Sequence, residues 1–394
     1  MRSNKQNRIE HVAVVTGTRA EYGILKPLLT KIERDPNLEL SLLVTGLHVL
    51  KEFGRTISEI KKDGFKITAE IPMYPDDLFG NVHYHGIGLG EGVKNFTITL
   101  KELQPDILLV FGDRLEALAA TLAASTLNIP LGHIHAGDKT DSGHIDEQIR
   151  FSISRFSHLL FAPTRRCAER LIKMGEEAWR VQNVGALGLD GILSIKPIPK
   201  KELGKALRVD FDEPVAIVLF HPVIHEYKTV GFQMEEIMKA LVELDLQSVV
   251  IYPTNDLGSE KIISVIDEYS RVFDNFRVFK NLEHEVFVSL MHHAAVMVGN
   301  SSSGIIEAPS LGLPVVNVGS RNVGREHGDN VIFTDPKKED IIEATKTALY
   351  DENFLNVVKK KRNPYGDGKT SERILSIVKS VKITDKFLRK KLTY

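Results

Sequence analysis

Cysteine is almost absent from this chain. Cys167 is the only one in 394 residues, so an intrachain disulfide is impossible and a cysteine-built zinc site is excluded. An excess of either charge is missing too: 51 Lys and Arg against 52 Asp and Glu leave a formal net charge of −1. That balance gives no electrostatic footprint for DNA or RNA, and the basic end Lys386–Lys391 reads as a solvated helix terminus. No apolar run approaches the roughly 20 residues of a membrane span. The polar start Met1–Arg8 lacks the apolar core of a signal peptide. A cytoplasmic protein without nucleic-acid or membrane partners is expected.

Hydrophobic residues make up 42% and charged residues 26%, ordinary for a globular chain. The length favours two domains over one core. Short β-branched runs alternate with helical-period segments almost throughout. Strands are expected at His11–Thr16, Leu40–Thr45, Ile107–Phe111, Leu131–His135, Leu159–Phe161 and Val181–Val184. Amphipathic helices fall between them at Ile24–Arg34, Val49–Lys62, Leu115–Leu127 and Arg166–Met174. Continuously apolar strands separated by helices imply parallel strands buried on both faces and joined by right-handed crossovers. Lys196–Gly204, with two prolines and three lysines, reads as a linker.

A second alternation follows, with strands at Val215–Phe220, Ser248–Tyr252, Arg277–Phe279, Ala295–Val298, Val315–Val318 and Val331–Phe333. Its helices include Met234–Leu244, Ile262–Ser270 and His284–His292. The expected fold class is α/β: two Rossmann-like halves facing one cleft, bordered by the C-terminal strand ends where ligands bind in open α/β sheets. The tract Asn81–His85 reads as a flexible loop, and Cys167 as a small residue on a helix beginning near Thr164.

Unusual residues gather at strand ends. The run Gly299-Asn-Ser-Ser-Ser-Gly304, following Ala294–Val298, reads as a strand-to-helix turn whose N–H groups and hydroxyls favour phosphate. Glu307 falls about a turn into that helix, within reach of a neutral hydroxylated group such as a ribose. Gly17-Thr-Arg-Ala-Glu-Tyr-Gly23 is not GxGxxG, so it gives no support for the usual dinucleotide site. It does set Arg19 where a guanidinium can fork onto a diphosphate.

Asp113, followed by Arg114, is either a helix N-cap or an acid/base with a charge partner. His133 and His135 lie two apart, on one face if the strand continues. With Asp138 and Asp146 they suit either a metal or a hydrogen-bonded acid/base group. His221, held by Pro222, suits proton transfer or contact with a leaving group. Asn255, the segment Lys280–Leu282 and the run Gly319–Glu326 complete the strand-end set.

Taken together, Thr16–Gly23, Gly112–Ala117, Asp146–Arg150, Phe220–Val223, Gly299–Gly304 with Glu307, Gly319–Arg321 and Asn363–Gly368 resemble the UDP-N-acetylglucosamine 2-epimerase family. The hydrolysing branch, which makes N-acetylmannosamine-type sugars for sialic acid synthesis, is the nearer match. The resemblance runs from about Val12 to Ile377. It implies two domains of glycosyltransferase-B type: residues 1–195, rejoined by a C-terminal helical segment 370–394, and residues 205–369. It also implies a UDP-sugar substrate and no metal or other cofactor. By resemblance Arg19, His221, Ser301, Ser302 and Arg321 surround the diphosphate, and Arg114 lies in the cleft. Glu307 would hold the ribose, and the backbone near Leu282 the uracil edge.

Asp113 and Asp146 match two of the family's catalytic carboxylates. The third position carries His135, so that role falls to His135 itself or passes to Asp138 or Glu147. Thr254 and Gly23 also depart from the family pattern, which bears on the sugar and on UDP versus GDP. A non-hydrolysing epimerase is the alternative, although that branch typically carries a Thr-rich segment after the corresponding Gly-Asp. A glycosyltransferase on the same fold and a nucleotide-sugar sensor are further readings. Four or more ionisable groups at the sugar end argue against the sensor. The helix-rich exterior points to a homo-oligomer, a dimer or tetramer.

Overall fold

The computed structural model describes residues 8–50, 56–74, 83–139, 145–253 and 258–394. The described chain forms two compact units. One comprises residues 8–139, Ile145–Gly191 and Tyr365–Tyr394, and the other Ile192–Pro364.

The first unit holds seven strands: β1 (His11–Thr16), β2 (Glu39–Thr45), β3 (Ile67–Ile71), β4 (Ile107–Phe111), β5 (Leu131–Ile134), β6 (Leu159–Ala162) and β7 (Val181–Asn183). They pair in the order β3-β2-β1-β4-β5-β6-β7, all parallel. The chain winds outward from β1 through β2 to β3, returns to β4 beside β1, and winds the other way. The β1/β4 boundary is therefore the topological switch point, where open α/β sheets bind ligands. Alternate residues of β1 enter opposite cores, Val12 and Val14 one, Ala13 and Val15 the other. A strand apolar at every position is buried on both faces.

The helices that matter to the site are α1 (Arg19–Arg34), α2 (Ile57–Lys62), α3 (Tyr84–Leu103), α4 (Leu115–Thr126) and α5 (Ile145–Phe156). The α1 helix begins five residues before its apolar periodicity, because Thr18 caps it by accepting from the Glu21 N–H at 3.3 Å. The helix expected over Val49–Lys62 is confined, among the described residues, to Ile57–Lys62, with a 3₁₀ turn at Gly46–His48.

The sequence reading missed β3, α3 and α5. In α3 four glycines argue against helix, and the tract read as a loop ends inside it, with His83 as N-cap and His85 in the first turn. Packing overrides propensity here. A Cβ at Gly92 would lie 3.0 Å from Ala119 on α4, and one at Gly88 would collide with the Tyr74 ring, so these glycines let α3 sit close.

The second unit holds β8 (Val215–Leu219), β9 (Gln247–Ile251), β10 (Phe276–Phe279), β11 (Val296–Gly299), β12 (Val315–Val318) and β13 (Val331–Thr334). Their order is β10-β9-β8-β11-β12-β13, again all parallel, with the switch at β8/β11. The segment read as a linker is half helix. Pro199 precedes the helix Lys200–Leu207, while Ile198 is fixed by Ser289 and His293 at 3.0 and 2.8 Å. The helix Thr370–Ser380 belongs to the first unit, burying Ile374 and Val378 in the core that holds Leu25 and Leu29 of α1. Among the described residues no helix is long and apolar enough to cross a membrane.

Candidate active site

At the β1/β4 switch the backbone turns through Gly17 on one side and through Gly112, at φ +69, on the other. Asp113 follows Gly112, and its carboxylate pairs with Arg150 of α5. Arg114 forks onto Glu116 through Nε and Nη2, both at 3.1 Å. Arg19 opens α1 and is held by Glu59 of α2, Nε to Oε2 at 2.9 Å. Glu21, one turn into α1, is buried and accepts from the Gly17 N–H at 3.2 Å. Desolvation first, and the Glu116 charge second, push its carboxyl up to about 8.

Strand β5 ends at Ile134, and His135 turns away with φ +66. The one-face pairing of His133 and His135 expected from their spacing therefore does not form. His133 is fully buried, and burial pushes its imidazole down to about 3. It is neutral, so Nε2–H donates to the Gly112 carbonyl at 2.7 Å and Nδ1 accepts from the Ser154 hydroxyl at 2.9 Å. With both nitrogens committed, His133 braces the Gly112–Asp113 turn against α5. Among the described residues no group of three or more His, Cys, Asp or Glu is placed to hold a metal ion.

His135 meets Asp138 instead, Nε2 to Oδ2 at 3.3 Å, and Arg150 Nη1 lies 4.0 Å from the same carboxylate. Arg150 thus links Asp113 to the His135–Asp138 pair. Its own Nε and Nη1 are buried and find no hydrogen-bond acceptor among the described residues. Asp146 lies one turn before Arg150 on α5 and is half-buried. The sequence reading gave Arg150, Glu21 and Glu116 no role, and named Asp138 only as an alternative. The helical spacing of Asp146 and Arg150 was the available signal for one of them.

In the second unit, Gly299 has φ +143, and a Cβ there would strike the Leu219 carbonyl. Only glycine lets β11 leave the sheet this close to β8. Asn300 then clamps the β8 end. The His221 N–H donates to Asn300 Oδ1 at 2.7 Å, and Asn300 Nδ2 donates to the His221 carbonyl at 2.9 Å. The Asn300 carbonyl accepts from Arg321 Nη1 at 3.0 Å and Asn322 Nδ2 at 2.9 Å. His221, Asn300 and Arg321 therefore form one fixed set around the β8/β11 switch.

The helix expected after the serines is in fact two four-residue pieces, Ser303–Ile306 and Ala308–Leu311, which meet at Glu307. Pro309 has no N–H with which to continue the ladder, so little macrodipole builds up there. Ser301 is buried against Ser303, with hydroxyls 3.3 Å apart, and the Ser302 hydroxyl makes no capping bond. Glu307 is half-buried, with its Oε2 out of solvent; desolvation pushes its carboxyl up to about 7 against the opposing charge of Arg325. Its Oε2 receives no hydrogen bond from any described residue. Leu282 is half-buried and packs on the core containing Ile217 and Val249. Asn255 lies outside the described residues.

The family model described as UDP-N-acetylglucosamine 2-epimerase matches residues 30–379. The UDP-N,N'-diacetylbacillosamine 2-epimerase (hydrolyzing) of Legionella pneumophila is 38% identical over 383 residues, covering 97% of this chain and 99% of that protein. The UDP-N-acetylglucosamine 2-epimerase of Neisseria meningitidis is 36% identical over 341 residues, covering 86% of this chain and 88% of the relative. The solved structure of UDP-GlcNAc 2-epimerase from Neisseria meningitidis bound to UDP-GlcNAc has the same fold, with a TM-score of 0.78 at 23% identity over 93% of this chain and 99% of that one. With a family model spanning most of its length and a relative matching it nearly end to end, the chain belongs to the UDP-N-acetylglucosamine 2-epimerase family.

Proposed function

We propose that this chain is a hydrolysing 2-epimerase. It converts UDP-N-acetylglucosamine, or a 2,4-diacetamido-trideoxy analogue, into UDP and the free 2-epimeric sugar. The observation that carries the reading is the proton-transfer group at the ends of β4 and β5, where Asp113 and the His135–Asp138 pair are joined through Arg150. The Legionella relative, named as hydrolysing, supports that outcome.

The chemistry suits the groups. A carboxylate takes the proton from C2 as the bond from C1 to UDP breaks, and the electron pair forms the C1=C2 bond of a 2-acetamidoglucal. Water then adds its oxygen to C1, and C2 receives a proton on the opposite face. Two faces call for two separate proton carriers. Asp113 and Asp146 are assigned as the carboxylates, and His135, backed by Asp138, takes the third position. Arg19, His221, Ser301, Ser302 and Arg321 are assigned to the departing diphosphate, whose charge needs donors and cations, and Arg114 to binding of the nucleotide sugar. Asn255 is assigned to substrate binding. Glu307, with its unused buried oxygen, suits a ribose hydroxyl, and the Leu282 backbone the uracil edge.

An NMR time course with UDP-N-acetylglucosamine in D₂O tests the reading. One UDP per free N-acetylmannosamine is expected, with deuterium at C2. Asp113→Asn should slow turnover by about 10²–10⁴-fold, the usual contribution of proton transfer, while UDP still binds. An equilibrium of two UDP-sugars without free sugar would make the enzyme non-hydrolysing. Release of sugar with its C2 configuration retained would end the epimerase reading.

A further inference from the structure

Glu116 is 1% exposed, although a glutamate in the first turn of a helix gains its dipole benefit at the surface. Burying a carboxylate is costly unless it is paired and hydrogen-bonded, and the neighbourhood is built to hold this one. A Cβ at Gly17 would lie 2.9 Å from Glu116 Cγ, and one at Gly46, which has φ +58, 2.6 Å from Oε1. Both turns are glycine where the side chain passes. Its oxygens accept the two-pronged Arg114 fork, and the Tyr74 hydroxyl adds a further hydrogen bond.

The four partners come from four adjacent strands. Tyr74 follows β3, Gly46 follows β2, Gly17 follows β1 and Arg114 follows β4. Glu116 is thus the hub of the C-terminal sheet edge at the switch point. Arg114, whose side chain is 45% exposed, presents its guanidinium from that hub. Glu21 is buried beside it, and the Arg114 fork is the one ion pair that Glu116 makes among the described residues.

We propose that Glu116 is a positioning residue. It locks the Arg114 guanidinium at the β1/β4 switch so that Arg114 meets the diphosphate of the nucleotide sugar in one fixed orientation. The inference rests on the UDP-sugar reading above. An arginine already forked onto a carboxylate loses little side-chain entropy when an anion arrives, and a guanidinium with five N–H donors keeps some for that anion.

The test measures KM and kcat with UDP-N-acetylglucosamine, and the Kd for UDP, in wild type, Glu116→Gln, Arg114→Lys, Arg114→Gln and the Arg114→Gln/Glu116→Gln double variant. Glu116→Gln and Arg114→Lys should each raise KM and Kd together about tenfold, the scale of one charge-assisted hydrogen bond. The Glu116→Gln effect should vanish in the Arg114→Gln background. Loss of kcat alone at unchanged KM and Kd is the signature of loosened packing and would overturn the proposal. So would a full penalty added on top of Arg114→Gln. If Glu116→Gln does not fold, Arg114→Lys decides, since it keeps the charge and removes the fork. If the wild type binds UDP but turns over no UDP-sugar, the reaction assignment falls while the UDP affinities still judge the positioning role.

Discussion

Glu21 and His133 are both ionisable and both taken out of water in the first unit, yet they push stability in opposite directions with pH. The buried form of each is neutral. For Glu21 the neutral form is protonated: its carboxyl is pushed from 4.5 up to about 8. Between those values the unfolded chain releases a proton that the folded chain keeps, so stability falls as the pH rises through the window. For His133, pushed from 6.5 down to about 3, the unfolded chain binds the extra proton and stability rises with pH over its window. Glu21→Gln isolates the first effect, because Gln is uncharged and can still accept from the Gly17 N–H. The stability of the variant relative to wild type should climb from pH 5 to pH 8. Denaturant midpoints taken at each pH check this; a constant difference would mean that Glu21 is ionised in the folded chain.

The burial behind this behaviour was not legible in the sequence. A Glu three residues after a capping Thr reads as a helix-start residue. The second cause of its shift, the charge of Glu116, comes from 95 positions away.

Elements were legible where apolar runs met clear boundaries, and opaque where tertiary contact overrode local preference. Strands β1, β4 and β12 were placed to the residue because each is a mainly apolar run closed directly by a glycine, Gly17, Gly112 and Gly319 in turn. Strand β3, with only Ile71 fully buried, sits at a sheet edge and shows no such run. Helix α3 was hidden by its glycines, and two of them now separate propensity from packing. Gly90 has open space around its α-carbon, so Gly90→Ala should stabilise by about 0.5–1 kcal/mol through backbone entropy and helix propensity. At Gly88 the same change drives a methyl into the Tyr74 ring, so the identical substitution should destabilise. Thermal or urea unfolding of the pair reads both signs. Equal shifts in one direction would mean that α3 does not pack on Tyr74.

At the scale of the whole molecule the chain is two Rossmann-like units, the glycosyltransferase-B-like class of α/β fold, each with its own cores. Residues Tyr365–Tyr394 follow the second unit in sequence but complete the first. Asp190 receives the Thr370 and Ser371 N–H groups at 2.9 and 2.7 Å, fixing the start of the helix Thr370–Ser380. Ile374, Val378 and Phe387 fill the core beside α1, and buried Arg180 donates to the Phe387 carbonyl at 2.8 Å. Burying three such side chains is worth about 1.5–3 kcal/mol each. Together that is comparable to the roughly 5–15 kcal/mol by which a domain is stable at all. A chain ended at Pro364 should therefore lose the first unit and keep the second, since none of the removed residues belongs to the second unit's cores. Hydrogen exchange followed by mass spectrometry reads this directly. Peptides from β1 and β4 should exchange as if unfolded, while those from β8 and β11 keep their protection. Protection lost in both units alike would mean that they fold as one cooperative body, and protection kept in both would mean that the C-terminal helix is an accessory to a core complete without it.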